Sequence, residues 1–138
     1  MKQKRRRLRI TTGGPGFTDV TENIRSFISS SEISGGVLTL FIPHTSASLL
    51  IQENADPDVL KDLADSFERL APRGAVYRHT SEGADDMPAH IRAALTQTSL
   101  SIPVDGGAPV LGPWQAIYLF EHRDKSHRRT VVLHLIGE

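Results

Sequence analysis

No apolar stretch in this chain lasts beyond about ten residues before Pro, Gly, His or a charge interrupts it. A chain so punctuated cannot cross a bilayer with a helix. It must instead pack short elements on a common core, and 138 residues suffice for one such core without staples. A single domain over residues 1–138 is therefore expected.

The pattern along the chain is mostly that of strands. Arg7 to Thr11 alternates, as a strand with one buried face does. Gly13 to Gly16 is a turn cluster, and Phe17 to Val20 is a second short strand. Thr21 is placed to cap a helix that carries Ile24, Phe27 and Ile28 on one face. Val37 to Ile42 is apolar without alternation, which predicts a strand covered on both faces. Asp56-Pro57 opens a helix with a cap, a proline in the first turn and early acids, and Leu60, Leu63, Phe67 and Leu70 continue it to Pro72. A shorter helix opens around Asp86-Met-Pro88 and carries His90, Ile91 and Leu95. Leu100 to Val104 leads into the turn Asp105-Gly106-Gly107. Trp114 to Glu121 and Thr130 to Ile136 are two long strands joined by the charged stretch His122 to Arg128. Helices inserted among antiparallel strands predict an α+β domain.

Composition excludes several functional classes. Sixteen basic and sixteen acidic residues leave no net charge to attract nucleic acid or an anionic membrane. Lys2, Lys4, Arg5, Arg6 and Arg7 lack the aromatic interleaving of an RNA-binding strand, and are expected to form a solvated first strand or a tail. The N-terminus has no apolar signal core, and there is no cysteine, so a cytoplasmic location is expected. Thiolate chemistry is excluded, and any metal must be held by His, carboxylates or water.

Chemistry concentrates in a few places. The Val37–Ile42 run ends in Pro43-His44-Thr45-Ser46-Ala-Ser48, a histidine amid small hydroxyls that can cradle a phosphate or carboxylate together with backbone N–H groups. His79 and His90 sit in similarly polar segments. Three histidines can hold a metal and leave a position open, but their spacing contains no tight ligand motif; independent surface or capping roles are the alternative. Asp58 and Asp62 share a helix face suited to Mg²⁺, although acids in a first turn commonly serve the helix dipole. Asn54 stands before a helix cap, and Glu82, Asp85 and Asp86 precede the shorter helix. Trp114 offers a flat face for stacking or an interface anchor. Gln115 and Glu121 share one face of a strand. Arg128 and Arg129 supply charge for a phosphate or form a solvated hairpin tip.

In order, Pro43-His44-Thr45-Ser46-Ala47, Glu53-Asn54-Ala-Asp56, Tyr77-Arg-His79, Ala89-His90-Ile91, Leu111-Gly112-Pro-Trp114-Gln115, Glu121 and the terminal Ile136-Gly-Glu138 resemble the YjbQ-like family, known as secondary thiamine-phosphate synthases. The resemblance implies an α+β domain that is mainly an antiparallel β-sandwich with two or three helices, forming a homotrimer with sites near subunit boundaries. It implies site roles for His44, Thr45, Ser46, Asn54, His79, His90, Gln115 and Glu121. The chain departs from the family pattern at Thr80 and Asp86, both positions where Asn is common, and at Pro113, where Thr is frequent. Asp86 adds a negative charge near His90 that favours a cation.

The leading expectation is a transferase that joins a hydroxymethylpyrimidine diphosphate to a thiazole phosphate. His44, His79, His90 and Glu82 are its catalytic candidates. Thr45, Ser46, Ser48, Asn54, Trp114, Gln115, Glu121 and Arg129 would bind a small phosphorylated or anionic substrate. His44, His79, His90 and Asp62 are the candidate ligands for Mg²⁺ or Zn²⁺. Two further expectations are a three-histidine metal-dependent hydrolase with Glu82 as base, and a trimer that binds a small anion without turnover.

Overall fold

The computed structural model describes all 138 residues. In chain order the elements are β1 (Lys2–Thr11), β2 (Gly16–Asp19), α1 (Thr21–Ser30), β3 (Gly36–Phe41), β4 (Ala47–Glu53), α2 (Pro57–Leu70), α3 (Asp86–Leu95), β5 (Ser99–Asp105), β6 (Ala108–Pro109), β7 (Gln115–Glu121) and β8 (Arg128–Gly137). They form a five-stranded sheet in the order β1-β8-β3-β5-β6 and a three-stranded sheet in the order β2-β7-β4. Every pairing is antiparallel. The α+β expectation holds, with three helices beside the two sheets.

The core lies between the sheets. Leu38 and Leu40 of β3 sit opposite Leu135 and Leu133 of β8, and all four are buried. Across the interior they share one cluster with Leu49 of β4 and with Ile117 and Leu119 of β7, and α1 closes the cluster with Ile24, Phe27 and Ile28. Alternation decides which side chains enter. Val37 and Phe41 of β3 point the other way and stay 44% and 45% exposed. The strand is therefore covered on one face only, which corrects the expectation of two covered faces: no helix packs on the outer side of this part of the sheet.

Local details follow the chemistry of the chain. The β5–β6 hairpin turns through Gly106 and Gly107 at φ +58° and +74°, the conformation of a tight two-residue turn. At the start of β3 the backbone of Gly36 lies so close to the end of β8 that an added Cβ would collide with Ile136 O. Helix α2 begins as expected, with Asp56 accepting from Asp58 N at 2.9 Å. Its apolar stripe is only partly covered, none of its residues is fully buried, and Phe67 meets Phe120 edge-on at 5.2 Å between ring centres. Thr21 does not cap α1 but begins it. Its amide donates to Asp19 Oδ1, while its hydroxyl accepts from Ile117 N at 2.9 Å and ties the helix to β7. The basic N-terminus is an edge strand, whose charges discourage a further strand from pairing. No helix is long and apolar enough to cross a membrane.

Candidate metal centre

One helical turn separates Asp86 from His90, so α3 presents both on the same face. The loop before α3 returns His79 to the same place, steadied by Tyr77, whose hydroxyl donates to Pro72 O at 2.7 Å. Asp86 Oδ2 then lies 2.5 Å from His79 Nε2 and 3.3 Å from His90 Nε2. One ligand atom from each of the three residues fits within 4.8 Å of the other two. Asp86 is buried, at 3% exposure, and both histidines are partly open. A pocket of about 250 Å³ beside His79 is lined by Tyr77, Thr80 and Met87 among others.

The carboxylate is held from behind. Arg123 Nη1 donates to Asp86 Oδ1 at 2.9 Å, which leaves Oδ2 to the imidazoles. The same guanidinium donates through Nε to Asp85 Oδ2 at 2.9 Å, and Asp124 N donates to that oxygen as well. Burial alone pushes the Asp85 carboxyl up, but the hydrogen bonds and charge of Arg123 outweigh it and hold the group below its ordinary value. The bonds and charge of Asp85 in turn raise Arg123. Two imidazoles and an oriented carboxylate are a donor set that suits a divalent transition metal, with further positions left open.

His44 is elsewhere. Its Nε2 accepts from Thr130 N at 3.0 Å, which engages the nitrogen a metal would need. Burial, reinforced by the charge of Arg129, pushes His44 below the ordinary histidine range. The structure thus brings together His79 and His90 and puts Asp86, not His44, in third place. Asp62 lies on the exposed side of α2, apart from this cluster. The Glu82 side chain is exposed, and its backbone carbonyl accepts from Arg123 Nη2.

The remaining predicted residues fall into three groups. Glu121 is fully buried and accepts five hydrogen bonds: from Thr12 Oγ1 and Arg129 Nε on Oε1, and from Arg129 Nη2, His122 N and Arg123 N on Oε2. Burial raises its carboxyl, yet the bonds from Arg129, Thr12 and the backbone more than cancel that and lower it. Ser46 and Thr45 lie beside this pair, in the loop before β4. Ser48 is sealed in the interior, where it meets His122 Nε2 at 2.8 Å and accepts from Thr96 Oγ1 at 2.5 Å. Asn54, Trp114 and Gln115 occupy the opposite end of the β4–β7 ladder, since Ala47 pairs with Glu121 but Glu53 pairs with Gln115. Six residues of strand put them roughly 20 Å from Glu121. Within one chain they do not join the His44 loop.

Arg123, Thr12, His122 and Thr96 were not anticipated. Only Asp86 left a readable trace, through its four-residue spacing to His90.

The chain matches the family model described as UPF0047 protein YjbQ-like over residues 6–138. It is 49% identical to a UPF0047 protein of Synechocystis sp., covering 99% of this chain and 94% of that one. It is 40% identical to the UPF0047 protein YjbQ of Escherichia coli O157:H7, covering 95% and 96%. A crystal structure of an uncharacterized conserved protein of the YjbQ/UPF0047 family from Clostridium acetobutylicum superposes with a TM-score of 0.86 at 33% identity, covering 94% of this chain and 98% of that one. The expected thiamine-phosphate synthesis is overturned. What matches is a family designated only UPF0047, and these relatives carry no such activity in their names. Of the groups expected to hold a phosphorylated substrate, Asp62 is on an exposed helix face, Ser48 is sealed in the core, and Arg129 is tied to Glu121 with Ser46 beside it.

Proposed function

The chain belongs to the YjbQ-like UPF0047 family, whose designation carries no activity, and from its geometry we propose that it is a divalent-metal protein centred on His79, Asp86 and His90. The observation that carries this reading is the approach of three ligand atoms from three residues to within 4.8 Å, one of them on a buried carboxylate. Imidazole nitrogens favour zinc over magnesium, which prefers an all-oxygen shell. Zinc bound there would polarise a substrate oxygen or lower the pKa of a bound water.

The residues divide the remaining work. Asp86 supplies the negative charge that attracts the cation, and Arg123 fixes the direction in which Oδ2 points. His79 sets the open side toward the pocket, where the hydroxyl of Thr80 is at hand to orient a small anionic substrate. Association of copies is supported by the outer side of the five-stranded sheet, where Val37 and Ile136, paired across β3 and β8, stay partly exposed. The homotrimer proposed on that face is tested by light scattering, and a monomer at all concentrations rejects it.

Metal analysis tests the main reading. Protein purified without chelator and exposed to zinc is expected to hold one ion per chain, and His79→Ala or Asp86→Asn is expected to lose it. Failure of the folded wild-type chain to retain zinc overturns the proposal.

A further inference from the structure

A second pocket, of about 440 Å³, opens where β3 hands over to β4, and Phe41, Pro43, His44, Thr45, Ser46 and Arg129 contribute to its lining. Its distinguishing property is a surplus of donors. The backbone N–H groups of His44, Thr45 and Ser46 lie outside the strands and have no acceptor in the chain. Pro43 shortens the run by having no N–H of its own. His44 accepts through Nε2 from Thr130 N, so the neutral ring carries its proton on Nδ1, and that nitrogen has no partner in the chain. Ser46 Oγ accepts from Arg129 Nη2 at 2.9 Å, which leaves its own proton to donate. Arg129 is only 5% exposed, yet its Nη1 has no acceptor. Consecutive free amides beside a buried guanidinium form a concavity that takes an oxyanion.

Charge decides which oxyanion. Arg129 is neutralised from behind by the fully buried Glu121, through bonds of 2.9 and 2.5 Å. The ion pair therefore shows the pocket its positive end but no whole positive charge. At His44 the influence of Arg129 exceeds the opposing one of Glu121, as that orientation requires. A phosphate dianion would face the Glu121 charge across the guanidinium with nothing further to balance it. A single carboxylate matches the donors and the modest field. The exposed ring of Phe41 and the ring of Pro43 supply an apolar wall for the body that bears it.

We propose that the loop His44–Ser46, with Arg129, binds the carboxylate of a small monocarboxylic acid with an apolar or aromatic body. The site shares no ligand residue with the His79–Asp86–His90 centre and stands or falls without it.

Benzoate is the probe, followed by amide and imidazole NMR of the full-length protein. Saturable shifts confined to His44, Thr45, Ser46 and their neighbours are expected, with phenyl phosphate binding more weakly. Ser46→Ala and His44→Leu are each expected to weaken benzoate by about tenfold, the scale of one charge-assisted hydrogen bond. Because His44→Leu strands Thr130 N, His44→Gln serves as the second variant; its amide supplies both an acceptor and a donor and is expected to restore most of the affinity. His79→Ala is expected to leave the benzoate affinity as it is. The proposal is overturned if benzoate leaves these amides unmoved, if phenyl phosphate binds more tightly, or if His79→Ala abolishes binding while Ser46→Ala does not.

Discussion

Arg123 and Asp86, thirty-seven positions apart in the chain, are joined by a 2.9 Å bond from Nη1 to Oδ1 that turns the other carboxylate oxygen toward two histidines. The orientation of the candidate metal centre therefore depends on the segment after β7 as much as on α3. Replacing Arg123 by Met keeps the aliphatic stem and removes the bond. Zinc affinity is expected to fall by roughly 10- to 100-fold, the usual effect of losing an outer-shell partner. Competition with a fluorescent zinc chelator measures it, and unchanged affinity means that Asp86 is oriented by something else.

Metal removal has its own expected signature. An ion that binds only the folded chain stabilises it by about 2.7 kcal/mol at a hundredfold excess over its Kd. Thermal unfolding of zinc-loaded protein is expected to shift down on chelation and to recover when zinc is restored. In Asp86→Asn the melting temperature is expected to be the same with and without zinc.

Glu121 and Arg129 are a buried pair, and breaking such a pair costs more than its net worth because one charge is left without a partner. Glu121→Gln is expected to destabilise the chain by roughly 3 kcal/mol or more, read from the urea midpoint at constant slope. A loss below 1 kcal/mol would show that solvent reaches Arg129 readily.

The pH dependence of stability is expected to have two parts. Burial, with the Arg92 charge adding to it, pushes His122 down to about 3, so the folded chain keeps this ring neutral where the unfolded chain protonates it. Between the ordinary histidine value and about 3 the unfolded state holds the extra proton, and stability falls as pH falls, by up to about 1.4 kcal/mol per pH unit. Glu121 is also lowered, so its contribution is present above the ordinary carboxylate value and is lost as pH drops through its lower folded value. His122→Phe is expected to shrink the first part to the smaller share that the lowered His44 supplies, and to leave the second. Urea unfolding at a series of pH values separates them, and a profile unchanged by His122→Phe removes this account.

Much of the fold was legible because its signals are local. The long strands β7 and β8, the Gly106-Gly107 turn and the Asp56 cap each follow from a few neighbouring residues. Strand β4 was missed: Ala47 to Glu53 follows directly on the polar loop, and its apolar run Leu49-Leu50-Ile51 is too short to identify its partner. Its neighbour β7 lies more than sixty residues further on. The site was legible only where one helix carries it, as with Asp86 and His90. His79 reaches them through a loop fixed by Tyr77 and the Arg123 contacts, and His44 is diverted to a backbone amide of β8; neither event leaves a mark in local spacing. Gln115 and Glu121 were rightly given a common strand face, but alternation does not say that such residues serve opposite ends of a sheet.

Three consecutive residues at the end of β7 face three different environments: Glu121 the Arg129 pair, His122 the interior beside Ser48, and Arg123 the acids before α3. Strand register thus works as a shared ruler for both pockets. A single-residue deletion within β7 would carry Arg123 to the interior place of His122, and an insertion would carry Glu121 there and His122 toward the acids, since a one-residue slip reverses every side chain. Beyond Arg123 the connection is exposed, but Asp124 N donates to Asp85, the Asp124 carboxylate pairs with Arg73 and Ser126 Oγ donates to Thr12 O, which leaves Lys125 as the residue open to change. That places a boundary on redesign: in the crossing from β7 to β8, which lie in different sheets, Lys125 can be recharged, whereas the strand before it must keep its count.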